Sequence, residues 1–261
     1  MPFVKSGDCN IHYEVFGSGP AMVWHHGFSS CGKFWLQFVG ELPGRHILVD
    51  ARGHGYSDPS KEEVITAAAM AEDVLRILDA EGADRAVVLG HSMGGIVAQE
   101  LTLRHPDRVR GLILAGTLPS APMLGFKARL SANRILKYAR FLAKPVVKAV
   151  IRITEPWLTL EQADMVMDEF YRCDFRTLWA IGRGLRRFDA LDRLGQIKVP
   201  TLVLVGAGDK LTPPKVNEEI HRRIPGSEFV VLPESGHWVP LERPREFTGA
   251  IRKLLDRLTS P

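Results

Sequence analysis

Short runs of consecutive apolar residues recur along the chain, with helical patterns between them. The runs that predict strands cover residues 11–16, 21–25, 46–49, 86–89, 112–115, 201–205 and 229–232. Several are continuous rather than alternating, which is typical of strands buried on both faces of a parallel sheet. Residues 67–80 repeat apolar side chains at helical spacing, and a helix that includes 97–103 is stopped by His105-Pro106. The chain therefore predicts an α/β fold: a mostly parallel central sheet with helices on both faces.

The alternation breaks after Thr117. Residues 118–190 have helical patterning without a convincing buried strand, and the strand pattern resumes at Val199. We therefore predict a core formed by residues 1–117 and 191–261, with residues 118–190 inserted as a helical cap. Residues 127–152 of the insertion contain basic side chains but no Asp or Glu. We interpret them as a solvated face, and attraction of acidic substrates or an anionic membrane is the alternative.

Composition fits one globular domain. The 261 residues are 45% hydrophobic and 25% charged, which argues against disorder. Glycine and proline are spread along the chain, so we find no low-complexity linker or internal repeat. The net charge is only +4, and the first third of the chain has no block of Lys and Arg suited to a phosphate backbone. We therefore expect no nucleic-acid partner.

The N-terminus and the hydropathy pattern predict a cytoplasmic protein. Residues 1–8 lack a basic region followed by an apolar run and a cleavage site. No apolar stretch reaches the length of a membrane span, so we expect no stable membrane anchoring. The three cysteines, Cys9, Cys31 and Cys173, are widely spaced and form no C-x-x-C pair. This spacing favours free thiols in a reducing compartment.

One short motif carries the predicted chemistry. An apolar strand leads into Gly90-His91-Ser92-Met93-Gly94, and a helix follows directly. A serine on such a tight strand-to-helix turn needs small neighbours, which the two glycines provide. The turn also places the serine hydroxyl at a helix N-terminus, where negative charge is favoured. A glycine-rich turn with a capping serine is the simpler interpretation, but the strand and helix on either side favour a nucleophile.

A serine hydroxyl needs a base, and the base needs an orienting acid. Asp209 follows the predicted strand 201–205, and His237 follows the predicted strand 229–232. Taken alone, Asp209 fits a turn and His237 fits an ordinary loop histidine. Their order after Ser92 and their positions at strand ends together predict a catalytic triad.

Three other residues near these positions could fill the same roles. Glu234 is the alternative acid, although its nearness to His237 in sequence suits a turn residue better. His91 is next to the serine, where we expect its side chain to point away, and His221 falls on a predicted surface helix. We therefore keep His237 as the base.

The tetrahedral intermediate of acyl transfer requires two backbone N–H donors for its oxyanion. Met93, the residue after the nucleophile, is expected to supply one of them. The early strand 21–25 leads into His26-Gly27-Phe28, and we assign the Phe28 N–H as the second. An ordinary glycine turn is the simpler interpretation of this loop. The candidate residues for lining the substrate pocket are His26, Trp157, Trp179 and Trp238. Core packing is an equal alternative for the two cap residues, Trp157 and Trp179.

Asp50, His54 and Asp58 lie close together in the sequence and suggest a metal site. Three potential ligands on one loop lack a fourth ligand or a supporting histidine pair. We therefore expect a structural loop here, and we predict neither a metal nor a cofactor.

These motifs, in this order, resemble the α/β-hydrolase superfamily, in particular its small soluble esterase-like, lactonase-like and peptidase-like serine hydrolases with a helical cap. The resemblance covers nearly the whole chain and implies the fold, the triad and a structural role for the loop 50–57. The predicted cap matches no pattern, so the resemblance does not identify a substrate. The matching segments are His26-Gly27-Phe28, residues 50–57, residues 90–95, residues 206–209 and residues 235–238.

The sequence predicts hydrolysis of a small-molecule ester or lactone through an acyl-enzyme on Ser92. Relatives that cleave carbon–halogen bonds or epoxides use an aspartate at the elbow, so Ser92 excludes that branch. Alternatives that keep a serine are a carbon–carbon bond hydrolase, an amidase or iminopeptidase, and a cofactor-free perhydrolase or dioxygenase. A non-catalytic, ligand-binding member of the fold is the alternative from a different class.

Overall fold

The computed structural model describes residues 2–123 and 144–259. In this part of the chain one sheet has the strand order β1-β2-β4-β3-β5-β6-β7-β8. Its strands are Phe3–Ser6 (β1), Cys9–Gly17 (β2), Ala21–His25 (β3), Arg45–Val49 (β4), Ala86–His91 (β5), Val109–Ala115 (β6), Thr201–Gly206 (β7) and Glu228–Leu232 (β8). β2 pairs antiparallel with β1 and β4, and every other neighbouring pair is parallel. The predicted mostly parallel sheet is confirmed.

Helices alternate with these strands, including the two predicted over residues 67–80 and 97–103. They are Ala67–Ala80 (α1), Met93–Arg104 (α2), Lys144–Thr154 (α3), Leu160–Arg172 (α4), Phe175–Leu185 (α5), Pro214–Arg223 (α6), Val239–Glu242 (α7) and Pro244–Thr259 (α8). The side chain of Thr66 caps α1 by accepting a hydrogen bond from the Ala69 N–H. α2 ends at the predicted position, because Pro106 follows its C-cap residue His105.

Two cores lie on opposite faces of the sheet, because successive side chains of a strand point in opposite directions. In β3, Val23 packs into the core that also contains α1 and α2. Its neighbour Trp24 packs into the other core with Trp35 and Phe247, the latter on α8. Trp24 and Trp35 are fully buried. Truncating a buried tryptophan to alanine costs about 3–5 kcal/mol, so this aromatic layer is a major source of stability.

The C-terminal ends of β5, β7 and β8 lie on the same side of the sheet, because these strands run parallel to one another. Ser92 directly follows β5, and Asp209 and His237 are on the loops after β7 and β8. The loops that follow these strand ends therefore form the candidate site.

The chain segment between β6 and β7 contains α3, α4 and α5. Its two ends pair with each other: Ser120 forms an antiparallel bridge with Asp189, and the Ala190 N–H donates to Pro119 O at 2.8 Å. The segment thus leaves the core and returns to it at one place. The exact domain boundaries at 117/118 and 190/191 stay a prediction.

Local signals explain the helices of this segment. Thr159 and Gln162 form a reciprocal capping box at the start of α4. Asp174 caps α5 by accepting from the Thr177 N–H. Of the basic residues noted in the sequence, Lys148 on α3 forms an ion pair with Asp164 on α4, at 2.5 Å. The basic residues from 127 to 140 lie outside the described residues.

The sequence did not predict β1. It lies at the edge of the sheet, and its Phe3 side chain is half exposed. In the described ranges, 2–123 and 144–259, none of the helices has the length and apolar character needed to cross a membrane.

Candidate active site

Ser92 lies between β5 and α2 in an uncommon backbone conformation. Its φ of 53° falls in the left-handed region, which is uncommon for residues other than glycine. A Cβ on Gly90 would lie 2.1 Å from Gly94 O, and a Cβ on Gly94 would lie 2.2 Å from His25 O. The glycines are therefore required by close backbone approach, as the predicted elbow demands.

The structure brings Ser92, Asp209 and His237 into one hydrogen-bonded chain. The Ser92 hydroxyl donates to His237 Nε2 at 3.0 Å across 145 residues of sequence. The His237 Nδ1–H donates to Asp209 Oδ2 at 2.9 Å. This arrangement fixes the histidine tautomer and leaves Nε2 facing the hydroxyl.

Asp209 is buried and fully hydrogen-bonded. The backbone N–H groups of Leu211 and Thr212 each donate to Oδ1 at 2.8 Å, and the Thr212 hydroxyl donates to Oδ2 at 2.7 Å. Burial alone raises the pKa of Asp209, but the charge and hydrogen bond of His237 and the bonds from Thr212 lower it below its ordinary value. Asp209 therefore stays ionised, and it is both the turn residue and the partner of His237.

The pKa of His237 is shifted in the opposite direction to that of Asp209. Burial lowers its pKa, but the charge of Asp209 and the hydrogen bond to it raise the pKa above the ordinary value for histidine. The pair thus favours an imidazolium at the point where a base would receive the serine proton. Glu234, the alternative acid, is exposed at a turn with φ of 47° and forms an ion pair with Arg243.

His91 packs against His237, the predicted base. Its Nε2–H donates to the backbone carbonyl of His237 at 2.8 Å, and the two ring centroids are 5.0 Å apart. Burial, followed by the charge of His237, lowers the pKa of His91 to about 3. His91 stays neutral and supports the histidine loop, while its side chain makes no hydrogen bond to the Ser92 hydroxyl among the described contacts.

The two predicted oxyanion donors, Phe28 and Met93, are on backbone segments beside Ser92. A Cβ on Gly27 would lie 3.4 Å from Ser92 Cβ, so the loop after β3 passes directly along the serine. Within residues 2–123 and 144–259, the backbone hydrogen bonds include none donated by Phe28 N–H or Met93 N–H. Donors without a backbone partner, on segments next to the serine, are what a developing oxyanion requires.

Two buried histidines contact the backbone of the loop that carries Phe28. His26 Nδ1–H donates to Gly27 O at 2.6 Å, and its Nε2 accepts from the Ala51 N–H at 2.9 Å. His54 places its Nε2 2.7 Å from Phe28 O. We predicted His26 as a pocket-lining residue, but the structure buries its ring completely and uses both of its nitrogens to support the loop.

The three tryptophans predicted for the pocket lie in different surroundings. The Trp157 ring packs against the triad loops, which are the loops that carry Asp209 and His237. A Cβ on Gly208 would lie 2.2 Å from Trp157 Cη2, and a Cβ on Gly236 would lie 3.2 Å from Trp157 Cε3. Trp238 is buried against His91, with ring centroids 5.5 Å apart.

Trp179 is 41% exposed on α5. It lines a surface cavity of about 930 Å³ between α5 and residues 59–63, and no triad residue lines that cavity. The structure thus separates Trp179 from the groups that contact Ser92.

Asp50, the centre of the suggested metal cluster, is occupied by structural bonds. Its carboxylate accepts from the Gly32 N–H at 2.6 Å and the Tyr56 N–H at 2.9 Å, and it bonds His12 Nδ1 at 2.8 Å. Across the described residues, no group of three or more His, Cys, Asp or Glu side chains is placed to hold a metal ion.

Two carboxyl groups near His237 were not predicted. The His237 N–H donates to Glu155 Oε2 at 3.4 Å, and the Gly236 N–H donates to Glu242 Oε2 at 2.7 Å. Burial raises the pKa of Glu155, and it raises the pKa of Glu242 to about 7, where the charge of Glu155 adds to the effect. Glu155 is 82 residues from His237 in sequence, so packing brings it to the histidine loop. Glu242 is at the end of the short helix α7, six residues after Gly236.

The site is thus a Ser–His–Asp arrangement at the carboxyl edge of an α/β sheet. A model of the alpha/beta hydrolase family matches residues 22–250. The chain belongs to the α/β-hydrolase family.

Individual relatives agree with this assignment. The chain is 31% identical to a putative carbamate hydrolase RutD of Azorhizobium caulinodans, over 91% of each chain. It is also similar to a thermophilic esterase from Thermogutta terrifontis, with a TM-score of 0.84, 29% identity and coverage of 97% and 95%. An enol-lactonase from Burkholderia xenovorans LB400 gives a TM-score of 0.85 at 25% identity, with coverage of 98% and 100%. Family and relatives together support hydrolase activity.

Proposed function

We propose that this chain is a serine carboxylesterase or lactonase that transfers an acyl group to water through an acyl-enzyme on Ser92. The observation that carries the proposal is the hydrogen-bonded path from Ser92 Oγ through His237 to Asp209. The esterase and the enol-lactonase among the similar structures support a small-molecule ester or lactone as the substrate.

In the first half of the reaction, the Ser92 oxygen bonds to the substrate carbonyl carbon while its proton moves to His237 Nε2. The carbonyl oxygen becomes an oxyanion, and the N–H groups of Phe28 and Met93 stabilise it. Asp209 stabilises the imidazolium without taking its proton. The intermediate then collapses: the bond from carbon to the leaving oxygen breaks, and His237 gives the proton to that oxygen.

In the second half, water replaces the alcohol. His237 removes a proton from the water as the water oxygen bonds to the acyl carbon, and the same N–H donors stabilise the second oxyanion. Collapse breaks the Ser92 ester and returns the proton from His237 to the serine oxygen. In a lactone both products are ends of one molecule. The atoms balance with groups of this chain and water, so the proposal includes no cofactor.

A substrate panel tests the proposal. We would measure hydrolysis of p-nitrophenyl esters of increasing acyl length, of lactones and of amino-acid arylamides, with Ser92→Ala as the control. We expect ester or lactone turnover that falls by several orders of magnitude in Ser92→Ala, because nucleophile and base act as one unit. Near-normal ester turnover by a folded Ser92→Ala protein would refute the acyl-enzyme, and turnover of arylamides alone would favour the amidase alternative.

A further inference from the structure

Glu169 on α4 is a buried carboxyl group that the proposed mechanism does not use. Only 8% of the residue is exposed, and its side chain faces the loop that follows β3. The Ser30 hydroxyl, itself buried, donates to Glu169 Oε2 at 2.5 Å. The contact joins residues 139 positions apart, one in the segment between β6 and β7 and one in the loop beside Ser92.

Ser30 closes the turn that contains the predicted oxyanion donor. Its N–H donates to Gly27 O at 3.3 Å, so Phe28 lies inside the turn. The backbone and thiol of Cys31 also lie against the Glu169 carboxyl and favour its charged form. One side chain of α4 therefore fixes the C-terminal end of the turn, while His26 and His54 contact the carbonyl oxygens of Gly27 and Phe28.

A second contact from the same helix reaches the turn. Phe170, the next residue along α4, forms an apolar cluster with Cys173 and Leu178, and the Phe28 side chain packs against this cluster. The polar contact at Ser30 and the apolar contact at Phe28 are made by neighbouring residues. The position of α4 and the position of the Phe28 backbone are thus coupled.

We propose that Glu169 is a positioning residue for the oxyanion hole: its carboxyl fixes Ser30, and through the turn 27–30 it aims the Phe28 N–H at the substrate carbonyl oxygen. The kinetic part of this inference rests on the proposed function. The structural part, that Glu169 orders the turn, does not. A donor displaced by about 1 Å can cost on the order of 10²-fold in rate, so fixing the turn affects turnover directly.

The contact between Glu169 and Ser30 should depend on pH, because the Glu169 carboxyl can gain or lose a proton. Burial raises its pKa to about 7, with Asp50 adding to the effect and Ser30 and Cys31 opposing it. Glu169 lines a cavity of about 110 Å³. The titratable and charged groups that line this cavity with Glu169 are His12, Glu14, Cys31, Lys33, Asp50, Tyr56 and Arg172. An ionised carboxylate accepts the Ser30 hydrogen bond more strongly than a protonated carboxyl does. The turn 27–30 should therefore become better ordered as pH rises through about 7.

The test uses four variants of the full chain: Ser30→Ala, Glu169→Leu, the double variant and Glu169→Gln. Glu161→Leu, an exposed position in the first turn of α4, is the matched control. Hydrogen exchange by mass spectrometry follows the amides of residues 27–31, and ester hydrolysis gives kcat and KM. Binding of a boronic acid, which mimics the tetrahedral intermediate, is measured alongside.

We expect Glu169→Leu and Ser30→Ala to lower kcat by about tenfold to hundredfold with KM within about twofold. Boronic acid affinity should fall by a similar factor, and amide exchange in the turn should become about tenfold faster. The double variant should lose little more than either single variant, because both remove one contact. Glu169→Gln should retain turnover within about threefold of wild type and keep the pH dependence of turnover that His237 sets. It should lose the slowing of amide exchange in residues 27–31, relative to intrinsic amide rates, that wild type shows as pH rises through about 7.

Wild-type kcat and wild-type exchange in Ser30→Ala would overturn the proposal, even if Glu169→Leu fails to fold. Additive losses in the double variant, or equal effects in Glu161→Leu, would also overturn it. If the wild-type protein hydrolyses no ester, the proposed function fails by itself. In that case, exchange in residues 27–31 still decides whether Glu169 orders the turn.

Discussion

The loops at the strand ends and the segment between β6 and β7 contribute to the site in different ways. The strand-end loops carry Ser92, Asp209 and His237, whose side chains bond directly to one another. The segment contributes Glu155, which accepts from the His237 N–H, and Glu169, which accepts from the Ser30 hydroxyl on the loop after β3. The strand-end loops thus carry the groups of the proposed chemistry, whereas the segment contacts and positions loops of the site. Substitutions in the two regions should therefore differ in size and in kind.

The largest effect is expected at the acid. Asp209→Asn keeps the shape of the side chain but no longer fixes the tautomer of His237 or stabilises its imidazolium. We expect kcat to fall on the order of 10⁴-fold, the size the corresponding substitution has in a well-studied serine protease. Steady-state hydrolysis of one activated ester at neutral pH measures it, after circular dichroism has shown that the variant is folded.

Glu234→Gln is the matched control for this prediction. Glu234 is paired with Arg243 at the surface rather than with His237, so its loss should leave kcat nearly unchanged. If Glu234→Gln were the impaired variant and Asp209→Asn turned over normally, the acid would be reassigned to Glu234.

The next effect is the pH dependence of kcat/KM. His237 must be neutral to accept the Ser92 proton, and Asp209 raises the pKa of His237 above its ordinary value of 6.5. Protonation on the acidic side therefore removes activity. We expect kcat/KM to fall about tenfold per pH unit below the raised pKa. A profile recorded from pH 5 to 9, in roughly unit steps, checks this; a profile that is flat down to pH 5 would exclude His237 as the base.

A smaller effect should separate two tryptophans of the segment. Trp157→Ala removes the ring that covers Gly208 and Gly236, so we expect kcat to fall roughly tenfold through displaced triad loops. Trp179 lines a cavity apart from the triad, so Trp179→Ala should change kcat/KM by less than about twofold. Measuring both variants on the same ester panel checks the comparison. Equal losses would show that Trp157 and Trp179 do not differ in their contact with the triad loops.

Much of the fold and the triad could be predicted, because their signals are local in sequence. Continuous apolar runs identify parallel strands, and the elbow glycines identify Ser92. The order of strand ends then pointed to Asp209 and His237. β1 was missed because it is a short edge strand, with Phe3 half exposed rather than buried.

The rest of the site depends on packing between distant segments. Glu169 and Ser30 are 139 residues apart, and Glu155 and His237 are 82 apart. No periodicity or spacing in one sequence records such pairs. His26 was assigned to the pocket for the same reason, because its buried bond to the Ala51 N–H becomes visible only in three dimensions.

Covalent labelling tests the central claim most directly. A fluorophosphonate reacts with a serine only when that serine is activated as a nucleophile. We expect mass spectrometry to show one adduct per chain, on the peptide that contains Ser92, and no adduct in Ser92→Ala. His237→Ala should label far more slowly than wild type, because the base is gone. An unlabelled wild-type protein that still hydrolyses esters, or an adduct that persists in Ser92→Ala, would contradict the account.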